Sequence, residues 1–226
     1  MNDIVYSAAV WIVPLIFAIV LHEISHGWVA NAFGDPTAKL LGRLSVNPIR
    51  HVDPVGTILL PLVLAVAHAP IFGWAKPVPV VAARMRHPRW QMPLVALAGP
   101  GINLLLAAIT AVVLGLLANA WQGTDPAGTS RFFAEMLVNF ILVNVFLALF
   151  NLLPMPPFDG GHVVEALLPR PLAARWVQAG RYAFPVLILL LVILPMIAPQ
   201  WNIVAGLVVP PAQAVSGFFL GIAAAI

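Results

Sequence analysis

The chain contains no cysteine, which removes disulfides, thiolate metal sites and cysteine nucleophiles from consideration. Charge is nearly as scarce. Only 8% of the 226 residues are Asp, Glu, Lys or Arg, against about 25% in a soluble domain. That is too little to cover a water-facing surface. With 62% hydrophobic residues and a mean hydropathy of +0.99, a soluble globular protein and a disordered chain are excluded, and the lipid bilayer is the expected partner. The 11 basic residues are too few for a nucleic-acid footprint, so no nucleic acid is expected either. Proline, by contrast, is abundant: 22 residues, about twice its usual share of roughly 5%. In a membrane protein this points to interrupted helices and to irregular loops that are buried in protein or line a cavity.

The first apolar run, 4–21, is 18 residues without a charge and reads as a spanning helix rather than a cleavable signal. Its helical pattern continues to Phe33 and stops at Gly34-Asp35-Pro36, a turn signal. Further long apolar stretches lie at 92–120, 132–153, 184–198 and 203–226, while 54–74 is a shorter run broken by glycine and proline. No internal repeat is visible. The expected fold is an all-α integral membrane protein of about five to six transmembrane helices, with a re-entrant segment and short β or extended loops near the active site. It forms a single domain over 1–226, with a core at about 5–169 and C-terminal helices at 183–226.

Basic residues in short loops set orientation. Loop 34–53 holds Lys39, Arg43 and Arg50, and loop 75–91 holds Lys76, Arg84, Arg86 and Arg89. If 54–74 crossed the membrane, these loops would lie on opposite sides and one would violate the rule. If it dips and returns, both are cytosolic with Arg170, Arg175 and Arg181, leaving only Arg131 outside. The pattern favours five spans in the cell membrane, N-terminus outside and C-terminus cytosolic; a plain sixth helix is the alternative.

His22-Glu23-Ile24-Ser25-His26 fits H-E-x-x-H. Histidines at i and i+4 stand about 40° apart on one helix face, one turn up, so both can reach one zinc ion at about 2.0–2.1 Å. Glu23 is turned about 100° from His22, beside the metal, where it can take a proton from a water. Three ionisable groups ending an apolar run are functional by default. A catalytic zinc keeps three protein ligands. Without cysteine the third must be His, Asp or Glu, and Asp159 is the strongest candidate. It follows Pro154, Pro156 and Pro157 in a stretch expected to be non-helical, and His162 three residues on is the reserve. The histidines stand near the cytosolic end of an out-to-in helix, so Asp159 must follow another such helix. Helix 132–153 runs that way only if 54–74 makes no net crossing.

The pairing of His22-Glu23-x-x-His26 with Asn151-x-x-Pro154-x-Pro156-Pro157-x-Asp159-Gly160 resembles the site-2 protease family of intramembrane zinc metalloproteases. Ala98-Gly99-Pro100-Gly101-Ile102-Asn103 and Gly73-Trp74-Ala75-Lys76-Pro77-Val78-Pro79-Val80 are similar to the compact bacterial members without PDZ or CBS domains. Val81 departs from the polar residue expected there. The resemblance, over about 10–169, implies one Zn2+ per chain on His22, His26 and Asp159, Glu23 as general base and acid, and Asn151 holding the substrate backbone. The implied activity is an endopeptidase cutting membrane-protein substrates at a transmembrane helix, with homo-oligomerisation left open. A divalent-metal transporter is the alternative from another class, though it calls for ligands at several depths, usually in repeats. An inactive scaffold of the family is the third reading, and the intact Glu23 argues against it.

Several features carry weaker expectations. His51 with Asp53 suits a loop contact better than a second metal site, and His68 is read as structural. Asn139 and Asn144 suit interhelical hydrogen bonds, and Gly99 and Gly101 suit close helix packing. Tyr6, Trp121 and Trp201 suit an interfacial belt. The regions 38–50 and 75–82 are candidates for an edge strand that pairs with an opened substrate.

Overall fold

A computed structural model describes residues 3–66, 73–120 and 128–226; His68 and Trp121 lie outside them. The chain begins with α1 (Asp3–Ala32), a short α2 (Thr37–Leu40), and a π-helical turn over Pro54–Leu59 that leads into α3 (Leu60–Val66). Next come α4 (Pro88–Ala120), α5 (Thr129–Asn151), α6 (Asp159–Leu167) and α7 (Arg170–Ala179). The chain ends with α8 (Ala183–Ile188), α9 (Leu194–Ile197) and α10 (Val209–Ala225). Five stretches are long and apolar enough to cross a membrane: Val5–Ala32, Pro88–Ala120, Thr129–Asn151, Arg170–Ile197 and Val204–Ala225. The chain is thus an all-α integral membrane protein. The described residues contain no strand. The edge strand expected at 38–50 is a helical turn followed by irregular chain and a 3-10 turn (Pro48–His51), and 74–81 has no regular secondary structure.

Helix α4 is the hub, packing against α1, α5, α6 and α10. Small residues let the backbones approach: Ala107 and Ala111 of α4 meet Ile141 and Val145 of α5 and Ala212 and Ala223 of α10 in one buried cluster. Helix α1 is tied to α5 by a bond that its own sequence creates. Pro14 has no N–H, so the Val10 carbonyl one turn earlier loses its helical partner, and Asn139 Nδ2 of α5 donates to it at 2.9 Å. Asn144, by contrast, bonds within its own helix, to Phe140 O. Gly101 faces open space, so of the two glycines only Gly99 marks a close approach.

Segment 54–74 returns to where it began. The Trp74 amide donates to Gly56 O at 3.1 Å and the Lys76 amide to His51 O at 2.8 Å, while Thr57 Oγ1 donates to Trp74 O. Bonds between the two ends bring loops 34–53 and 75–91 together. Leu60 and Leu64 of α3 pack on Ile188, Leu191 and Val192 in the fourth span, so this short apolar helix leans on a neighbour. Asp53 caps the π-helical turn through the Val55 and Gly56 amides. His51 Nε2 bonds Ser45 O. Both are loop contacts.

Candidate metal centre

The site forms where α1, α4 and α6 meet. His22 and His26 lie one turn apart on α1, 6% and 9% exposed, with ring centroids 4.7 Å apart. Asp159 comes from a different direction. The chain leaves α5 at Asn151, turns through Leu152–Phe158, and re-enters a helix with Asp159 as the first residue of α6. The expectation of a non-helical Asp159 is therefore corrected: the prolines stop at Pro157, and nothing beyond them prevents a helix from starting. Gly160 makes the approach possible. A Cβ there would stand 2.4 Å from Leu152 O and 2.5 Å from Leu153 O, so any side chain would push α6 off the end of α5.

Asp159 Oδ2 lies 3.2 Å from His22 Nε2 and 3.5 Å from His26 Nε2, and one potential ligand atom from each residue falls within 4.8 Å of the others. His26 Nδ1 donates to the Val95 carbonyl at 2.7 Å, and His22 Nδ1 donates to Asn103 Oδ1 at 3.0 Å. With both Nδ1 atoms carrying the hydrogen, both Nε2 atoms turn lone pairs inward. Asp159 Oδ2 is buried and finds no hydrogen-bond donor among the described residues. In the neutral tautomers that these bonds select, three acceptors face one another, an arrangement that a cation satisfies. Imidazole and carboxylate ligands, three in number and without thiolate, fit a zinc site with an open position.

The wall opposite is the backbone of α4. A Cβ on Gly99 would come within 2.5 Å of both His22 Cε1 and His26 Nε2, so only glycine leaves the rings room. Val95, Gly99 and Asn103 are spaced by four and share one face of α4, and that face addresses both histidines. Asn103 is completely buried. Its contact with His22 had no signal in the sequence beyond its place in the Gly99-Pro100-Gly101-Ile102-Asn103 run.

Glu23 sits beside the centre, half-buried, and its carboxylate accepts a hydrogen bond from the Val78 amide at 2.8 Å. Val78 belongs to the irregular strap 74–81, laid along α1 with its side chain buried against Gly27. Arg43 holds the strap through Lys76 O and Pro77 O, and Asp35 holds its far end through the Val81 amide at 2.6 Å. The departure at Val81 leaves this contact intact, because it uses the main chain. Burial pushes the Asp35 carboxyl upward. The Thr37 hydroxyl, the Val81 and Thr37 amides and the Arg84 charge outweigh it and hold the group below the usual carboxylate range.

Asn151 is the last residue of α5, and its Nδ2 donates to Leu147 O at 2.9 Å. His162 bonds Glu165 at 3.3 Å and is not among the clustered ligands.

A family profile described as Peptidase family M50 matches residues 10–193. A Bacillus subtilis (strain 168) protein named "Putative zinc metalloprotease YwhC" is 42% identical over 181 residues, 80% of this chain and 79% of its own. "Putative zinc metalloprotease Rip2" of Mycolicibacterium smegmatis is 29% identical over 178 residues, covering 78% of this chain and 64% of its own. Its Mycobacterium tuberculosis (strain H37Rv) counterpart is 29% identical over 190 residues, 82% and 65% respectively. No solved structure matches. With the profile extending over most of its length and the two-part metal-site motif inside the matched region, the chain belongs to peptidase family M50, the site-2 protease family.

Proposed function

We propose that the chain is an integral-membrane zinc endopeptidase that cuts other membrane proteins within or beside a spanning helix. The observation that carries this reading is the inward-facing triad His22 Nε2, His26 Nε2 and Asp159 Oδ2, with Asp159 Oδ2 buried and without a hydrogen-bond donor among the described residues. These three would hold one zinc ion per chain, which when bound supplies Lewis acidity at the scissile bond.

The rest is the work of the chain's own residues. Glu23 accepts the proton of the attacking water and returns it to the leaving amine. The Val78 amide keeps one carboxylate oxygen occupied and so fixes which oxygen faces the reaction. A transmembrane substrate arrives as a helix whose carbonyls are paired, so it must unwind before attack. Asn151 then donates to an exposed substrate carbonyl, using its second N–H or releasing Leu147 O. The N-terminus lies outside and the C-terminus in the cytosol, which sets the site towards the cytosolic face of the cell membrane.

The test is co-expression with candidate membrane substrates, wild type against Glu23→Gln. Cleavage should fall at least about 10²-fold in the variant while zinc content is unchanged. Undiminished cleavage by Glu23→Gln, or loss of its zinc with the fold intact, would overturn the assignment.

A further inference from the structure

We infer that Asn103 is a positioning residue that locks His22 into the tautomer able to bind metal. The inference rests on the zinc reading for its purpose but not for its geometry. A neutral imidazole carries one hydrogen, and the bond made by one ring nitrogen decides what the other can do. His26 needs no side chain for this, because the Val95 carbonyl can only accept. At His22 the corresponding partner is the Asn103 Oδ1, 3.0 Å from Nδ1. Remove that acceptor and nothing in the contact holds the hydrogen on Nδ1; Nε2 becomes free to carry it, and an Nε2–H points a proton at the place a cation must occupy.

The cost of having asparagine here supports the same conclusion. The side chain is fully buried, and its Nδ2 has no partner among the described residues. A buried donor left unpaired is destabilising, whereas an apolar residue of similar shape is not. Were packing the only demand, leucine would serve better at this point of α4, beside Ala107 and Ala111. What asparagine adds is the one contact that leucine cannot make. Supporting hydrogen bonds of this kind orient a ligand ring and raise its basicity, and their loss typically weakens metal binding about 10- to 100-fold.

Two measurements test this on the full chain in detergent. First, ¹⁵N-histidine NMR of the metal-free protein reads the tautomer directly, with the His22 signals identified by their absence in His22→Ala. Wild type and Asn103→Asp, which keeps an acceptor oxygen, should show the Nδ1–H form. Asn103→Leu should shift His22 towards Nε2–H and leave His26 unmoved. Second, competition with a zinc chelator should show Asn103→Leu weakened about 10- to 100-fold and Asn103→Asp within about threefold of wild type. A tautomer unchanged in Asn103→Leu overturns the inference. So does an Asn103→Asp variant that loses zinc as badly as Asn103→Leu, since both would then reflect packing. Wild type that binds no zinc while the tautomers behave as expected refutes the zinc reading and spares the Asn103–His22 relationship.

Discussion

The Glu23 carboxylate and the Val78 amide, 55 residues apart in sequence, are joined by a 2.8 Å hydrogen bond. The contact fastens the proposed base to a strap that is itself tied to loop 34–53 at both ends, through Arg43 and Asp35. A main-chain donor has no rotamer to lose, so it fixes the carboxylate more firmly than a flexible side chain would.

Replacing Val78 by proline removes that N–H and keeps an apolar residue in a segment already flanked by Pro77 and Pro79. We expect turnover to fall about tenfold, part of the 10²–10⁴ that general acid–base catalysis supplies, with zinc content unchanged. Val78→Ala retains the amide and should keep most of the activity, at a cost in stability from its truncated buried side chain. Equal activity in wild type and Val78→Pro would show that the strap does not position the base.

The ligand set makes a sharper demand. Asp159→Ala should lose zinc as severely as His22→Ala or His26→Ala, because a three-ligand site has no spare member. The loss should exceed the roughly 100-fold upper range for removal of a supporting hydrogen bond. His162→Ala should bind zinc normally, since that ring is engaged by Glu165. Metal analysis after chelator competition decides both.

Asp35 gives the strap an acid limit. Its carboxyl titrates below the usual value in the folded chain, so its contribution to stability is fully present above the unfolded pKa of about 3.9. That contribution is lost as pH falls through the lower folded value. Thermal unfolding of metal-free protein between neutral pH and pH 3 should show a loss on the acid side. Asn at position 35 should be less stable at neutral pH and lack that part of the acid loss. An identical acid profile in Asp35→Asn would remove Asp35 from this role.

The meeting of residues 51–57 with 74–76 implies that loops 34–53 and 75–91 share one side of the membrane. Because no native cysteine interferes, Leu41→Cys and Arg86→Cys, both at exposed positions, can be labelled cleanly. Each should react with an impermeant reagent from the cytosol alone; reaction of one from outside would invert α5 relative to α1 and separate Asp159 from the histidines.

Much of this was legible in one dimension. Hydropathy located the five spans to within a few residues at most ends, since apolar runs of spanning length have few alternatives. His22, Glu23 and His26 were legible because a single helical turn encodes their spacing, and Asp159 because a chain without cysteine leaves only His, Asp or Glu for the third ligand and the Asn151–Gly160 run resembles the family motif. What stayed hidden depends on register between elements. Gly99 was expected at a close approach, but that it and Asn103 face the histidines follows from 95, 99 and 103 of α4 lying against 22 and 26 of α1, and no periodicity within α4 states which side that is. The Glu23–Val78 bond is similarly invisible, as main-chain donors carry no residue-type signature. Proline counting misled at Asp159, where a breaker's influence ended two residues earlier.

The stitched ends of the 51–76 excursion also bear on how the chain tolerates change. With Trp74 bonded to Gly56 and Lys76 to His51, the address of Val78 is set by these ties and not by the length of chain they close. Insertions there are therefore expected to spare the chemistry, whereas one added residue between Lys76 and Val78 would put a different amide, or a proline with none, against Glu23.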